Sequence, residues 1–186
     1  MTRLDQSIKI YFENLDSTNK ELQFEAYTKI MDATTVEVDW AYEVWDELLA
    51  DLTHSSNHRR SRAAQFLSNL AISDYEKRIL NDFSSLWEVT KDEKFVTARH
   101  SLQTIWRVGL AGPLQKEMVI NHLVDRYRDC EKEKNYTLIR FDIIQDLKKL
   151  YDVVQEDEIK QTALDLIDLE KDKKYQKKYA GVWKKK

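Results

Sequence analysis

Within NHRRSRAAQFLSNLA, Asn57 to Ala71, the apolar residues Ala63, Phe66, Leu67 and Leu70 fall at offsets 0, 3, 4 and 7. That spacing puts them on one face of an α-helix, and the pattern returns along the chain. Ala26, Ala63, Ala98 and Ile139 are followed four residues on by Ile30, Leu67, Leu102 and Ile143, with separations of 37, 35 and 41 residues. One helical hairpin cannot bury its own apolar face, so hairpins recurring at this period must stack on their neighbours. The spacing therefore predicts a small stack of helical hairpins.

Three Gly and one Pro in 186 residues leave little material for β-turns or a Gly-rich phosphate loop. An apolar fraction of 42% with 34% charged residues suits amphipathic helices and is too apolar for a disordered chain. The fold class expected is all-α, with about nine to ten helices.

The helices can be placed by their stripes. Leu4, Ile8, Tyr11, Phe12 and Leu15 begin the first hairpin, and Leu22, Ala26, Ile30 and Ala33 complete it. Thr18 and Glu21 have the spacing of a capping box between them. Ala41, Trp45, Leu48 and Leu52 pair with the stripe of Asn57 to Ala71 across a polar loop. Ser73 with Glu76 and Thr90 with Glu93 repeat the capping signal before the third hairpin, which carries Ile79, Phe83, Leu86 and Trp87, then Ala98, Leu102 and Ile105. In VGLAGP, Gly109 and Gly112 can stop one helix and Pro113 can start the next. The fourth hairpin pairs Ile120, Leu123, Val124 and Tyr127 with Ile139, Ile143, Leu147, Leu150 and Tyr151, and a ninth helix carries Ile159, Ala163, Leu166 and Ile167.

Residues 171 to 186 hold eight Lys against Asp172, a local charge of +7, which leaves 22 basic and 32 acidic residues, or −10, elsewhere. Residues 1–170 thus read as a helical repeat domain and 171–186 as a basic aromatic tail. Tyr175, Tyr179 and Trp183 recur every four residues there, and Ala180 lies 41 residues beyond Ile139. The continued period predicts a degenerate last helix that covers the open end of the stack; binding a membrane surface or nucleic acid is the functional alternative.

One cysteine, Cys130, allows no internal disulfide and fits a reducing compartment, so a cytoplasmic location is expected. The start, MTRLDQSIKIYF, carries Asp5 and Glu13 and lacks the apolar run of a signal peptide. The longest uncharged apolar-rich piece, Val108 to Leu114, is far short of the roughly 20 residues a membrane-spanning helix needs.

The stretch Ala41 to Leu70 resembles the HEAT repeat family. Its first helix is followed by a short polar turn, then Arg60 three residues before Ala63, then Phe66, Leu67 and Leu70, as in the family's Arg-x-x-Ala-x-x-x-Leu pattern. Gln23, Phe95 and Tyr136 stand at the Arg60 position in the other units, and the Ser56 and Asn57 region replaces the family's turn aspartate. Tetratricopeptide and armadillo repeats are the alternatives, although the tetratricopeptide signature and its period of about 34 are absent. The resemblance implies a right-handed α-α superhelix whose second helices line a concave surface.

On that surface the expected binding residues are Arg62, Arg99, Gln103, Trp106, Arg107 and Arg140. Arg62, Arg99 and Arg140 adjoin the repeat alanine or isoleucine and could form a ladder that pairs acidic groups of a partner. Trp106 beside Arg99 and Arg107 could anchor an interface. The partner expected is another protein, with an acidic segment. A second reading follows from a more distant similarity to the HEAT-like alkylpurine DNA glycosylases, in which Asp142 or Asp146 would be the acid and Trp106 the aromatic. The body charge of −10 opposes a polyanion.

No cofactor is expected. His54, His58, His100, His122 and Cys130 lack zinc-ligand spacing, and Cys130 lacks a His or Asp motif, although Arg126, Arg128 and Lys132 nearby could lower its pKa. Asp39, Glu43, Asp46, Glu47 and Asp51 read as a solvated acidic face.

Overall fold

Short side chains that take up the first free amides set the helix starts. In the computed structural model, which describes residues 4–184, Asp5 caps α1 (Gln6–Asn14) by accepting from the Ser7 amide. Asn19 caps α2 (Lys20–Ala33), its Oδ1 accepting from Glu21 and Leu22 at 2.9 and 3.4 Å. Asn19 thus replaces the expected Thr18–Glu21 box. Asp74 replaces the Ser73–Glu76 box, accepting from the Arg78 and Ile79 amides at 3.0 and 2.7 Å, while Ser73 Oγ accepts from the Val38 amide instead. Likewise Asp92 accepts from the Lys94 amide, and Thr90 donates back to the Trp87 carbonyl. In each case the Asn or Asp carbonyl-type oxygen reaches two or more residues forward, while the neighbouring hydroxyl is used elsewhere.

Ten α-helices and no strand occur among the described residues, so the chain is all-α. It divides into two compact units after Ser101, within α6 (Phe95–Ile105). The division is set by packing and does not coincide with residue 170, where the charge changes. The first unit holds α1, α2, α3 (Ala41–Asp51), α4 (Asn57–Leu70), α5 (Ile79–Val89) and the start of α6.

In this unit α4 is the central element. Ala63, Phe66, Leu67 and Leu70 are no more than 1% exposed, as the stripe predicts, but Gln65, Ser68 and Asn69 are buried too. Gln65 and Asn69, with Arg60, join successive hairpins. Tyr27 donates to Gln65, Asn69 donates to Thr34, and Arg60 donates to both carboxylate oxygens of Asp92 at 2.6 and 3.0 Å. The partners lie 38, 35 and 32 residues apart, close to the sequence period, so the repeat spacing is the register of hairpin on hairpin. Arg60 Nη1 also donates to the His54 and Ser55 carbonyls, which ties the turn of its own hairpin to the next. Trp45 is fully buried and donates to Asp82. Trp40 is buried edge-on against Phe12, whereas Leu22 of the expected stripe is 40% exposed.

The second unit continues from α6 into a 3-10 turn (Trp106–Leu110), then α7 (Pro113–Asp129), α8 (Tyr136–Val154), α9 (Asp157–Asp168) and α10 (Lys173–Val182). Pro113 opens α7 at its first position, as expected. A Cβ on Gly109 would come within 3.2 Å of Leu150, so glycine there allows the 3-10 turn to lie close on α8. Tyr127, Ile143, Leu147 and Leu150 are fully buried. Helix α10 packs on α8 and α9. Its Tyr179 is fully buried, donates to the Thr137 carbonyl at 2.8 Å and meets the Tyr127 ring edge-on. Lys185 and Lys186 of the tail, and Met1 to Arg3 of the start, lie outside the described residues.

Among the described residues no helix is long and apolar enough to cross a membrane, and no three His, Cys, Asp or Glu side chains are grouped to hold a metal ion.

Candidate functional site

Helices α2 and α4 present matching faces in the first unit. Lys20, Gln23, Phe24 and Tyr27 on α2, and His58, Ser61, Arg62 and Gln65 on α4, each follow the i, i+3, i+4, i+7 spacing of one helical face. Together with His100 of α6 they line an open groove of about 400 Å³. Phe24, Arg62 and His100 stand at equal steps along the sequence, one on each of α2, α4 and α6.

The groove combines positive charge, an apolar anchor and fixed polar groups. Lys20, His58 and His100 are exposed, and Phe24 is 69% exposed, a large apolar ring left in water. No carboxylate lines the groove, although acids outnumber bases in the whole chain by 33 to 30. Gln65 is held from both sides, accepting from Tyr27 and donating to the Ser61 carbonyl at 3.1 Å. Arg62 is half-buried at the groove wall. Its Nη1 donates to the Leu15 carbonyl at 2.7 Å, Nη2 lies 3.6 Å from Asp16, and burial pushes its pKa below the ordinary arginine value.

The sequence-predicted residues are distributed differently from a single ladder. Arg62 lines the groove; Arg99 is on α6 one residue before His100 and is partly exposed. Gln103, Trp106, Arg107 and Arg140 belong to the second unit. Gln103 Nε2 donates to Asp142 at 3.1 Å. Trp106 and Arg107 are both partly exposed, with the guanidinium 5.4 Å from the indole ring, and burial lowers the Arg107 pKa.

Arg140 is 5% exposed, which corrects its placing on a surface ladder. Its Nε donates to the Tyr127 carbonyl at 3.0 Å, Nη1 donates to Glu170 at 2.9 Å, and its Cζ lies 4.6 Å from the centre of the Tyr127 ring. Glu170 is itself 3% exposed and also accepts from the Asp172 amide ahead of α10. Arg140 therefore joins α7, α8 and the approach to α10 through its Nε and Nη1 donors.

Asp142 and Asp146 are both fully buried. Neither oxygen of Asp146 has a hydrogen-bond partner, and burial, with Asp142 nearby, raises its carboxyl well above the usual carboxylate range. Neither residue is an uncovered carboxylate beside a stacking surface, which a base-excision site requires. Cys130 is also sealed; burial pushes its thiol up, outweighing the lowering by Arg140 and Arg126.

No family model matches the chain. No curated protein matches it either. Among solved structures it is similar to the crystal structure of an engineered protein from the Northeast Structural Genomics Consortium, at 12% identity and a TM-score of 0.49, over 96% of this chain and 95% of that one.

The groove was only partly legible in the sequence. Arg62 was found from its place beside Ala63, whereas Lys20, Phe24, His58 and His100 were missed. Their common spacing on successive second helices was the available signal.

Proposed function

We propose that the chain is a HEAT-like, non-catalytic scaffold whose α2–α4–α6 groove receives an acidic segment of a partner protein. The observation that carries this reading is the carboxylate-free lining with exposed Phe24 on an otherwise acidic chain. Local positive charge attracts carboxylates, while the acidic remainder opposes a long polyanion and so favours a short segment over a nucleic acid. Phe24 supplies apolar area, since an exposed ring beside cations is the usual composition of an interface anchor. The HEAT-like reading is supported by the Arg60 pattern and by polar ties that follow the repeat register. The same proposal puts the protein in the cytosol, on the strength of its single buried thiol.

Fluorescence anisotropy with a labelled Glu-rich peptide carrying one central Phe tests it, against a Lys-rich peptide of the same length. The acidic peptide is expected to bind, more weakly as salt rises. Lys20→Glu and Phe24→Ala, both at exposed positions, are each expected to weaken binding by about fivefold or more. Equal affinity for the two peptides, or indifference to both substitutions, would overturn the reading. Salt-sensitive preference for an alkylated DNA duplex over both peptides would move it to the glycosylase-related alternative.

A further inference from the structure

A second cavity in the first unit, separate in chemistry from the cationic groove, lies among α1, α3 and α4 and has a volume of about 370 Å³. Its inner wall is apolar: Phe12, Val44, Leu48, Ala63 and Phe66 line it, and the Phe12 ring meets Phe66 edge-on at 6.0 Å. The rim is acidic. Glu13, Asp16, Glu43, Glu47 and Asp51 face three cations, Lys9, Arg59 and Arg62. Arg59 lies 3.3 Å from Asp51 and 4.0 Å from Glu47, and Arg62 lies 3.6 Å from Asp16. Glu43 accepts the Leu4 amide. The three cations leave two carboxylates in excess around a hydrocarbon-lined space.

A volume of this order accommodates a small organic molecule, and such pockets pair apolar walls with a few placed polar groups. The wall here offers burial to a hydrocarbon body, and the rim offers carboxylates to a positive head. We infer that this cavity binds a small amine, its aliphatic or aromatic body against Phe12, Leu48 and Phe66 and its ammonium group at the rim that Glu13 and Glu47 help to line. Both carboxylates are exposed, so the head group keeps part of its water. Charge selectivity is accordingly modest, about fivefold for an amine over its alcohol, while most of the affinity comes from the buried chain.

Calorimetric titration of the full chain with octylamine, octanol and octanoate, each below its aggregation concentration, tests the assignment. The expected order is octylamine first, then octanol, then octanoate. The double variant Glu13→Gln, Glu47→Gln is expected to remove the preference for amine while leaving octanol binding unchanged. Because both positions are exposed, the fold should survive, and an unchanged circular dichroism melt checks that. The assignment is overturned if none of the three ligands binds at millimolar concentration, if all three bind equally, or if the amine preference persists in the double variant. Sedimentation of the free protein supplies the remaining arm. A salt-sensitive dimer abolished by the same double variant would give the cavity to the lysine-rich face of a second copy, and would also overturn the amine assignment. Lys20 and Phe24 are outside this cavity, so its failure is distinguishable from failure of the peptide groove.

Discussion

Arg60 and Arg140 are cations committed to the interior. Arg60 holds Asp92 through two hydrogen bonds while its third branch takes two turn carbonyls, so Asp92→Ala would strand a guanidinium that is only 14% exposed. The expected loss is about 3 kcal/mol, the usual cost of breaking a buried pair from one side, measured by urea unfolding. Asp92 and Asp146 respond to pH with opposite signs. The Arg60 hydrogen bonds hold the folded pKa of Asp92 below its ordinary value, so its stabilisation is present above about pH 4 and lost as pH falls through the folded value. Burial raises Asp146, so its contribution is present below about pH 4 and lost as pH rises toward its folded value. Stability of Asp146→Asn relative to wild type is therefore expected to increase with pH, and a gap that stays flat across a pH series of unfolding curves would contradict the buried acid. Much of this was hidden in the sequence for a geometric reason. Arg62 precedes its stripe residue Ala63, whereas Arg140 follows Ile139; one residue is about 100° of helix, so the two guanidinium groups leave opposite edges of the stripe. Adjacency to a repeat position could not distinguish them.

Helix stripes were the most legible elements, since burial of one face leaves a period in the sequence. Helix starts were misread three times because Ser or Thr with a following Glu is a spacing, whereas the amides are taken by whichever oxygen is nearest. The tail shows the same contrast between composition and packing. Its lysines advertise a basic surface, yet its aromatics turn inward: Tyr179 is fully buried, and Trp183 lies 5.4 Å from Tyr151. Helix α10 thus packs on α8 and α9. Deleting residues 171–186 would uncover Phe141 and Tyr127, which pack against Tyr179, and is expected to lower both the melting temperature and solubility. Tyr179→Ala alone should cost about 3–5 kcal/mol, as for other large buried aromatics. Replacing Lys173, Lys174, Lys177 and Lys178 by Gln should change stability far less, because all four are exposed. A melt in which the lysine variant falls as far as Tyr179→Ala would show that charge, and not packing, holds the helix.

At the scale of the molecule, the chain folds as two compact units, and units with their own cores need not unfold together. The two compact units supply distinct reporters of this behaviour. Trp45 is fully buried in the first unit, with its indole hydrogen-bonded to Asp82, while Cys130 is the single thiol, fully buried in the second. Thiol reagents attack only after Cys130 is uncovered, since its high pKa and burial both protect it. The Arg140–Glu170 pair holds α8 to the segment that leads into α10, and its loss should act where Cys130 reports. Glu170→Gln is therefore expected to accelerate Cys130 labelling in low urea by an order of magnitude or more, the factor corresponding to about 1.4 kcal/mol or above. The urea midpoint of the Trp45 signal, isolated by replacing Trp40, Trp87, Trp106 and Trp183 with Phe, should shift much less. Coincident shifts of both probes would instead mean that the chain unfolds as one cooperative body, in which case a partner bound in the α2–α4–α6 groove would protect Cys130 as fully as it protects Trp45.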